Sequence, residues 1–481
     1  MPIRFAINPA LDLTRALLLG LVLCCLPGIG RAQATAETHE LTLNQVRDLA
    51  VQALQSGDPG LAIQLSKGLL KVNSRDPFAY YVIAQAHASL NQPNLSRRAA
   101  VRAYRYSEDS PSQFQAAQLA ARMAYAEGRP TLAQIWLRRT AIHAPTEREE
   151  KLVALDYRAL RAQNPWAFRL RTDLRPSNNV NNGSDTALNI IDGVPDGGTL
   201  TATAQALPGL IGSVDISSTY RLRASQTSAT SLGGRLYVSR VALSSASRAK
   251  APLAHNSDFS STYGELSLRH GFVAGPPGKG GTAEIDLAVG ESWYAGERSY
   301  RFARLGAKRT WQLDKDRTRV RLNAMAEGRA KVRYASNDAK VFGLGGEVGR
   351  KLDNGDSVAV SLALRDSDAK HVNGTFKSAS MRTSYTFGKA IGPARISTGL
   401  VLGYSTYPTY QIYSFTSNTI VKVPGGRWDK SAYADLSLFF DKYDYAGFAP
   451  MLRLRTGRKT SNISRFSTRD LSVSLSVESK F

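Results

Sequence analysis

The chain has 481 residues and carries 62 Lys and Arg against 39 Asp and Glu, a formal net charge of +23, which is length enough for more than one domain. Its two cysteines, Cys24 and Cys25, both lie in an apolar stretch near the N-terminus, so the remainder has neither a disulfide nor a thiolate metal site. The six histidines show no metal-ligand spacing and no serine sits in a Gly-x-Ser-x-Gly elbow, so no cofactor is expected and the chain reads as a non-enzyme.

Arg4 and Arg15 precede the apolar run Ala16 to Leu26, and Pro27, Gly28 and Gly30 follow it. Ala32-Gln33-Ala34 puts small residues at both positions a signal peptidase reads. Residues 1–34 are therefore expected to be a cleaved secretory signal. The run is too short for a permanent helical anchor. Leu23 before Cys24 speaks against lipoprotein processing. No other segment is long and apolar enough for a transmembrane helix, so a secreted chain of this kind can span a membrane only as a closed barrel.

Residues 35–165 read as helical. Pro77, Pro111 and Pro145 recur every 34 residues, each after a small or acidic residue at the end of a helical stretch. That is the period of the tetratricopeptide (TPR) helix–turn–helix repeat. Pro77 to Leu90 and Leu95 to Tyr106 form one expected pair, Gln113 to Glu127 and Thr131 to His143 the next. Ala99 and Ala133 occupy the small positions where paired helices approach closely. Most aromatic and glycine positions of a full repeat are missing, so three degenerate repeats are expected.

From Trp166 the hydrophobic period becomes two. Val358, Val360, Leu362 and Leu364 alternate with Ser357, Ala359, Ser361, Ala363 and Arg365. Val320 and Leu322 alternate with Arg319 and Arg321, and Leu452 and Leu454 with Arg453 and Arg455. In a strand, alternate side chains point to opposite faces. A sandwich core would not take these charges on its inner face, whereas an outer-membrane barrel with a wet lumen would. Aromatics near strand ends, at Trp293-Tyr294, Tyr404 to Tyr413 and Phe439 to Tyr445, are placed as interfacial girdles. Fifteen candidate strands can be counted. Bacterial single-chain barrels take even numbers, and the stretch near residue 203 is the weakest, so about 14 strands are expected over 166–481. The expected fold is thus α + β and multidomain, a TPR-like helical domain followed by an antiparallel transmembrane barrel.

The charge is unevenly shared. Residues 35–165 carry 16 basic against 12 acidic side chains, and residues 166–481 carry 43 against 26. A basic barrel suggests an anion-favouring lumen, or loops that meet anionic lipopolysaccharide and outer-membrane lipid. Arg169, Arg171, Arg319, Arg321, Arg453 and Arg455 are expected to line the lumen, because an arginine facing lipid near the midplane would cost roughly 2–4 kcal/mol. Nucleic-acid binding is not expected, since the basic residues alternate along strands instead of clustering with stacking aromatics.

The chain ends on an amphipathic segment. Leu471, Val473, Leu475, Val477 and Phe481 fall on one parity, Ser472, Ser474, Ser476, Glu478 and Lys480 on the other. A closing strand with a terminal Phe looks like the signal read by the barrel assembly machinery, which gives Phe481 a role in assembly.

This organisation resembles the surface lipoprotein assembly modulator (Slam) family of outer-membrane translocons. The segment Arg175 to Gly183, after the first barrel strand, is similar to the family's Asn-Val/Ile-Asn signature through Asn178, Asn179, Val180, Asn181 and Asn182. Asn182-Gly183 departs from the residues expected after it. The resemblance implies an outer-membrane translocon, with its N-terminal domain in the periplasm, that exports or displays a partner protein, either a surface lipoprotein or a soluble one. Two other readings stay open: a TPR-barrel porin exporting an anionic polysaccharide, and a passive anion-selective porin.

Overall fold

The computed structural model describes residues 41–276, 280–330 and 338–479. The expected signal and Phe481 lie outside the described residues.

Seven helices come first: α1 (Leu43–Gln55), α2 (Pro59–Val72), α3 (Pro77–Ser89), α4 (Pro93–Tyr106), α5 (Ser110–Ala126), α6 (Pro130–Ile142) and α7 (Glu147–Gln163). Their starts are written locally. Asp58, Asp76 and Asp109 accept backbone N–H bonds at the N-caps of α2, α3 and α5. A proline follows at the first or second position of α2 to α6, where a missing N–H costs nothing. Each helix packs on the next in sequence, as a stack of antiparallel hairpins. Alanine allows the close approach: Ala84, Ala100, Ala117, Ala120 and Ala124 are fully buried between helices, with Ala99 and Ala133 beside them. Ser96 lets α4 close on α3 by donating to the Ala84 carbonyl at 2.6 Å.

The strands then run β1 (Trp166–Ser177), a loop hairpin β2 (Leu188–Ile191) and β3 (Val194–Thr199), β4 (Gly209–Ala224), β5 (Ser228–Leu243), β6 (Ser261–Val273), β7 (Thr282–Tyr294), β8 (Glu297–Leu313), β9 (Thr318–Ala330), β10 (Ala339–Lys351), β11 (Ser357–Ala369), β12 (Phe376–Thr386) and β13 (Arg395–Tyr407). A second loop hairpin, β14 (Gln411–Ser414) and β15 (Thr419–Lys422), precedes β16 (Arg427–Phe439), β17 (Phe448–Ser461) and β18 (Thr468–Ser479). Without the two hairpins, 14 antiparallel strands close into one barrel, with β1 pairing to both β4 and β18. The stretch near 203 is a 3₁₀ turn, Ala202–Ala204, and not a strand.

Parity separates two faces. Phe168, Leu170 and Leu174 of β1, Val214 and Ile216 of β4, Leu362 and Leu364 of β11 and Leu471, Val473, Leu475 and Val477 of β18 are exposed on the outer wall. Closure satisfies the backbone from strand to strand, so this apolar wall can face lipid. The other parity carries Asp215, Arg235, Glu265, Arg304, Glu347 and Arg453. On this concave side, side chains from neighbouring strands reach one another.

The two rims differ. At the rim where β1 begins and β18 ends, turns such as 225–227, 314–317 and 352–356 are short. At the opposite rim, 178–208, 244–260 and 408–426 are long. The helical domain docks on the short-turn rim. Arg221 donates to the carbonyls of Ala162, Gln163 and Asn164 at 2.8–3.1 Å. Arg138 of α6 donates to the Ala446 carbonyl at 2.8 Å and the Ser479 hydroxyl at 2.9 Å, and its guanidinium lies 4.2 Å from the Phe448 ring centroid.

Candidate functional site: the lumen wall and the long-loop mouth

All six arginines singled out from sequence lie on the polar parity of their strands, but they have different surroundings. Arg319 and Arg321 of β9 share the Glu347 carboxylate of β10, at 3.1 and 3.3 Å. Strand register brings this about, since Glu347 stands directly opposite Arg321. Arg169, Arg171, Arg453 and Arg455 have no carboxylate oxygen within 4.0 Å among the described residues. Arg453 donates to the Ser437 hydroxyl at 3.0 Å, and Arg455 sits 4.6 Å from the Tyr433 ring centroid.

The same wall holds charges that sequence reasoning passed over. Arg235 grips Asp215 with two bonds at 2.9 and 2.8 Å. Arg304 reaches across β7 to Glu265 at 2.6 Å, and Glu327 pairs with Arg329 at 2.7 Å. Glu284 takes Arg269 and Lys308, and Arg382 reaches Asp435 over Gly399. The alternation that identified the first six marks these too, but, apart from Glu327 with Arg329 on β9, their pairing depends on register between strands. In a lumen filled with water such pairs are screened, and each is worth little on its own.

The long-loop mouth is built from the Asn-rich segment. Asn178 donates to the Arg469 carbonyl at 3.0 Å and accepts from the Leu471 amide at 2.8 Å, which extends the β1–β18 pairing by a side chain. Asn179, buried, donates to the Gly183 carbonyl and accepts from the Gly183 amide, both at 2.8 Å. Asn181 donates to the carbonyls of Thr203 and Gln205 and accepts from the Leu207 amide. Each amide thus acts as a peptide group, binding a backbone donor and acceptor together, a match to which an asparagine side chain is suited. Asn182 turns the chain at φ 54°. Gly183 cannot gain a side chain, since a Cβ there would stand 2.3 Å from the Gln205 carbonyl oxygen.

Val180 shows where this loop goes. With Leu207 it packs against Val241, Leu243 and Ile211. Ile211 and Val241 stand opposite each other on the parity of Asp215 and Arg235. The loop therefore folds onto the inner wall at the rim. A second inner cluster joins Ile191 of the β2–β3 hairpin to Tyr407, Tyr410, Val423, Ile463 and Phe466. Tyr407 and Tyr410, expected in a girdle, are in this cluster instead, because Tyr407 falls on the inner parity of β13. Arg427 makes a buried bidentate pair with Asp429, at 3.0 and 2.6 Å, and stacks on Tyr407 and Phe466. The hairpin is tied across the mouth: Asp196 accepts from the Ser414 hydroxyl at 2.6 Å and the Phe415 amide at 3.1 Å, and Asn462 donates to Asp192 at 2.8 Å. The Ser414 hydroxyl, ahead of the Phe415 amide, holds the Asp196 carboxyl below the usual carboxylate range.

No protein-family model and no curated protein matches the chain. Among solved structures, the barrel is similar to the outer membrane channel DcaP of Acinetobacter baumannii, at 11% identity over 66% of this chain and 97% of that one, with a TM-score of 0.34. It is also similar to an outer membrane channel from Pseudomonas putida F1, at 12% identity over 64% of this chain and 95% of that one, with a TM-score of 0.31. The helical part is similar to the Yersinia enterocolitica type III secretion translocator chaperone SycD, at 16% identity over 26% of this chain and 88% of that one, with a TM-score of 0.24. Identities and scores this low say nothing about activity.

Proposed function

We propose that this chain is an outer-membrane translocon that exports or displays a partner protein, a surface lipoprotein or a soluble one. The observation that carries the reading is a helical stack docked on one rim of a lipid-facing barrel, through Arg138 and Arg221. Outer-membrane barrels keep short turns on the periplasmic side and longer loops outside, so the stack, on the short-turn rim, belongs in the periplasm. There a concave helical surface can meet cargo before it enters the barrel. The arrangement needs no chemistry and no cofactor.

The test is to delete residues 41–165 and follow both halves of the reading. The remaining barrel should still be heat-modifiable, because its strands close their hydrogen bonds without the helices. Surface display of the protein encoded beside it should be lost. Display that persists at the wild-type level in the deletion strain would overturn the export reading.

A further inference from the structure

The inner wall is not uniform. On β7, β9 and β10, Glu284, Glu327 and Glu347 each lie within 4.0 Å of two cationic side chains, so those cations each have a carboxylate in contact. The seam where the barrel closes is different. There β18 lies between β17 and β1 and presents Ser472, Ser474 and Ser476 inward. Arg453 stands opposite Ser474 and Arg455 opposite Ser472 on one side. From β1 on the other side come Arg171 and Arg175, with Asp173 between them opposite Ser476. Neighbouring strands are about 4.8 Å apart, so the two arginine columns are roughly 10 Å apart with a floor of hydroxyls between them. The space they enclose is a cavity of about 300 Å³.

None of these four arginines has a carboxylate oxygen within 4.0 Å among the described residues. The Arg175 Nε is buried with no hydrogen-bond partner. Three carboxylates also line the cavity, Asp173, Asp215 and Glu478. Asp215 is gripped by the bidentate Arg235 and also stands opposite Arg171 on β1. Asp173 and Glu478 leave the four guanidinium groups in excess. Grouped cations with no carboxylate in contact favour an anion that bridges them.

We propose that this seam is a binding site for a tetrahedral oxyanion, the phosphate group of free phosphate or of a phosphorylated small molecule. Donors come from two walls and a floor, which suits oxygens pointing in several directions better than a flat carboxylate. The proposal rests on the barrel wall and not on the export reading.

The test uses the full chain purified in detergent, with heat-modifiability on a gel as the readout of barrel unfolding. Ionic strength is held constant while chloride is exchanged for inorganic phosphate or for a sugar phosphate. A ligand bound only by the folded barrel raises the unfolding temperature. Phosphate should raise it in the wild type and not in the Arg453→Gln/Arg455→Gln double variant. The Arg171→Gln/Arg175→Gln pair serves equally if the first variant does not fold. The Arg319→Gln/Arg321→Gln pair, on the arc whose cations touch carboxylates, should keep the shift. Each seam pair should weaken the apparent affinity roughly tenfold or more, the loss of a charge-assisted hydrogen bond. A larger shift with the sugar phosphate assigns the site to a phosphorylated ligand, and an equal shift assigns it to free phosphate. No shift in the wild type beyond matched chloride would overturn the site. So would a shift retained in both seam variants, or lost equally in the Arg319/Arg321 control.

Discussion

Asn179 ties its own loop to Gly183, and Asn181 ties it to Thr203, Gln205 and Leu207 at the long-loop mouth. Asn181→Asp keeps the acceptor for the Leu207 amide but cannot donate to Thr203 and Gln205. It should loosen the loop 178–208 and speed its cleavage by protease, with the barrel still heat-modifiable. Asn179→Ala should cost about 1–3 kcal/mol, because it leaves a buried amide and carbonyl of Gly183 without their partner. A thermal melt of the purified protein reads that loss. Asp196 adds a pH dependence. Its folded carboxyl pKa is lowered, so its contribution is present above the unfolded carboxyl pKa and is lost as pH falls through the lowered value. The tie between the two mouth hairpins should therefore weaken only below about pH 3.9. Protease nicking of the hairpins should rise at pH 3 relative to pH 6 in the wild type, whereas Asp196→Asn should be nicked alike at both.

At the scale of elements, the helical stack depends on small residues and the docking on long ones. Ala100 is fully buried between helices. Ala100→Leu should overpack that contact and cost about 1–3 kcal/mol, lowering the melting temperature of the helical circular dichroism signal while the strand signal stays. Arg138 works between elements. Its guanidinium binds the β16–β17 turn and the end of β18 and stacks on Phe448. Arg138→Ala should undock the stack without unfolding either part, seen as faster protease cleavage between α7 and β1. The proline spacing revealed the helix pairs, because prolines at the first turns are local signals. The strands were equally readable from period two, down to discarding the stretch near 203. The mouth loops were not. Val180 packs on Leu207, and Tyr407 on Phe466, partners that only the folded loops bring to the inner wall.

At the scale of the whole molecule, topology is the property to measure. Under the proposed topology, protease added to intact cells should spare residues 41–165 and digest them once the outer membrane is permeabilised. Cleavage of the stack on intact cells would overturn that placement.

Sequence by itself determined the two domains, the strand number and which parity of each strand is charged. All of these follow from local periodicity and from the cost of placing charge against lipid. Only the tertiary structure decided the rest. Register set Arg319 and Arg321 on Glu347 but brought Arg171, Arg175, Arg453 and Arg455 to a seam whose carboxylates line the cavity without touching them. Closure made β18 the neighbour of β1, joining residues some three hundred positions apart into one seam. Pairing between distant strands is a property of the closed sheet, and no single segment carries it.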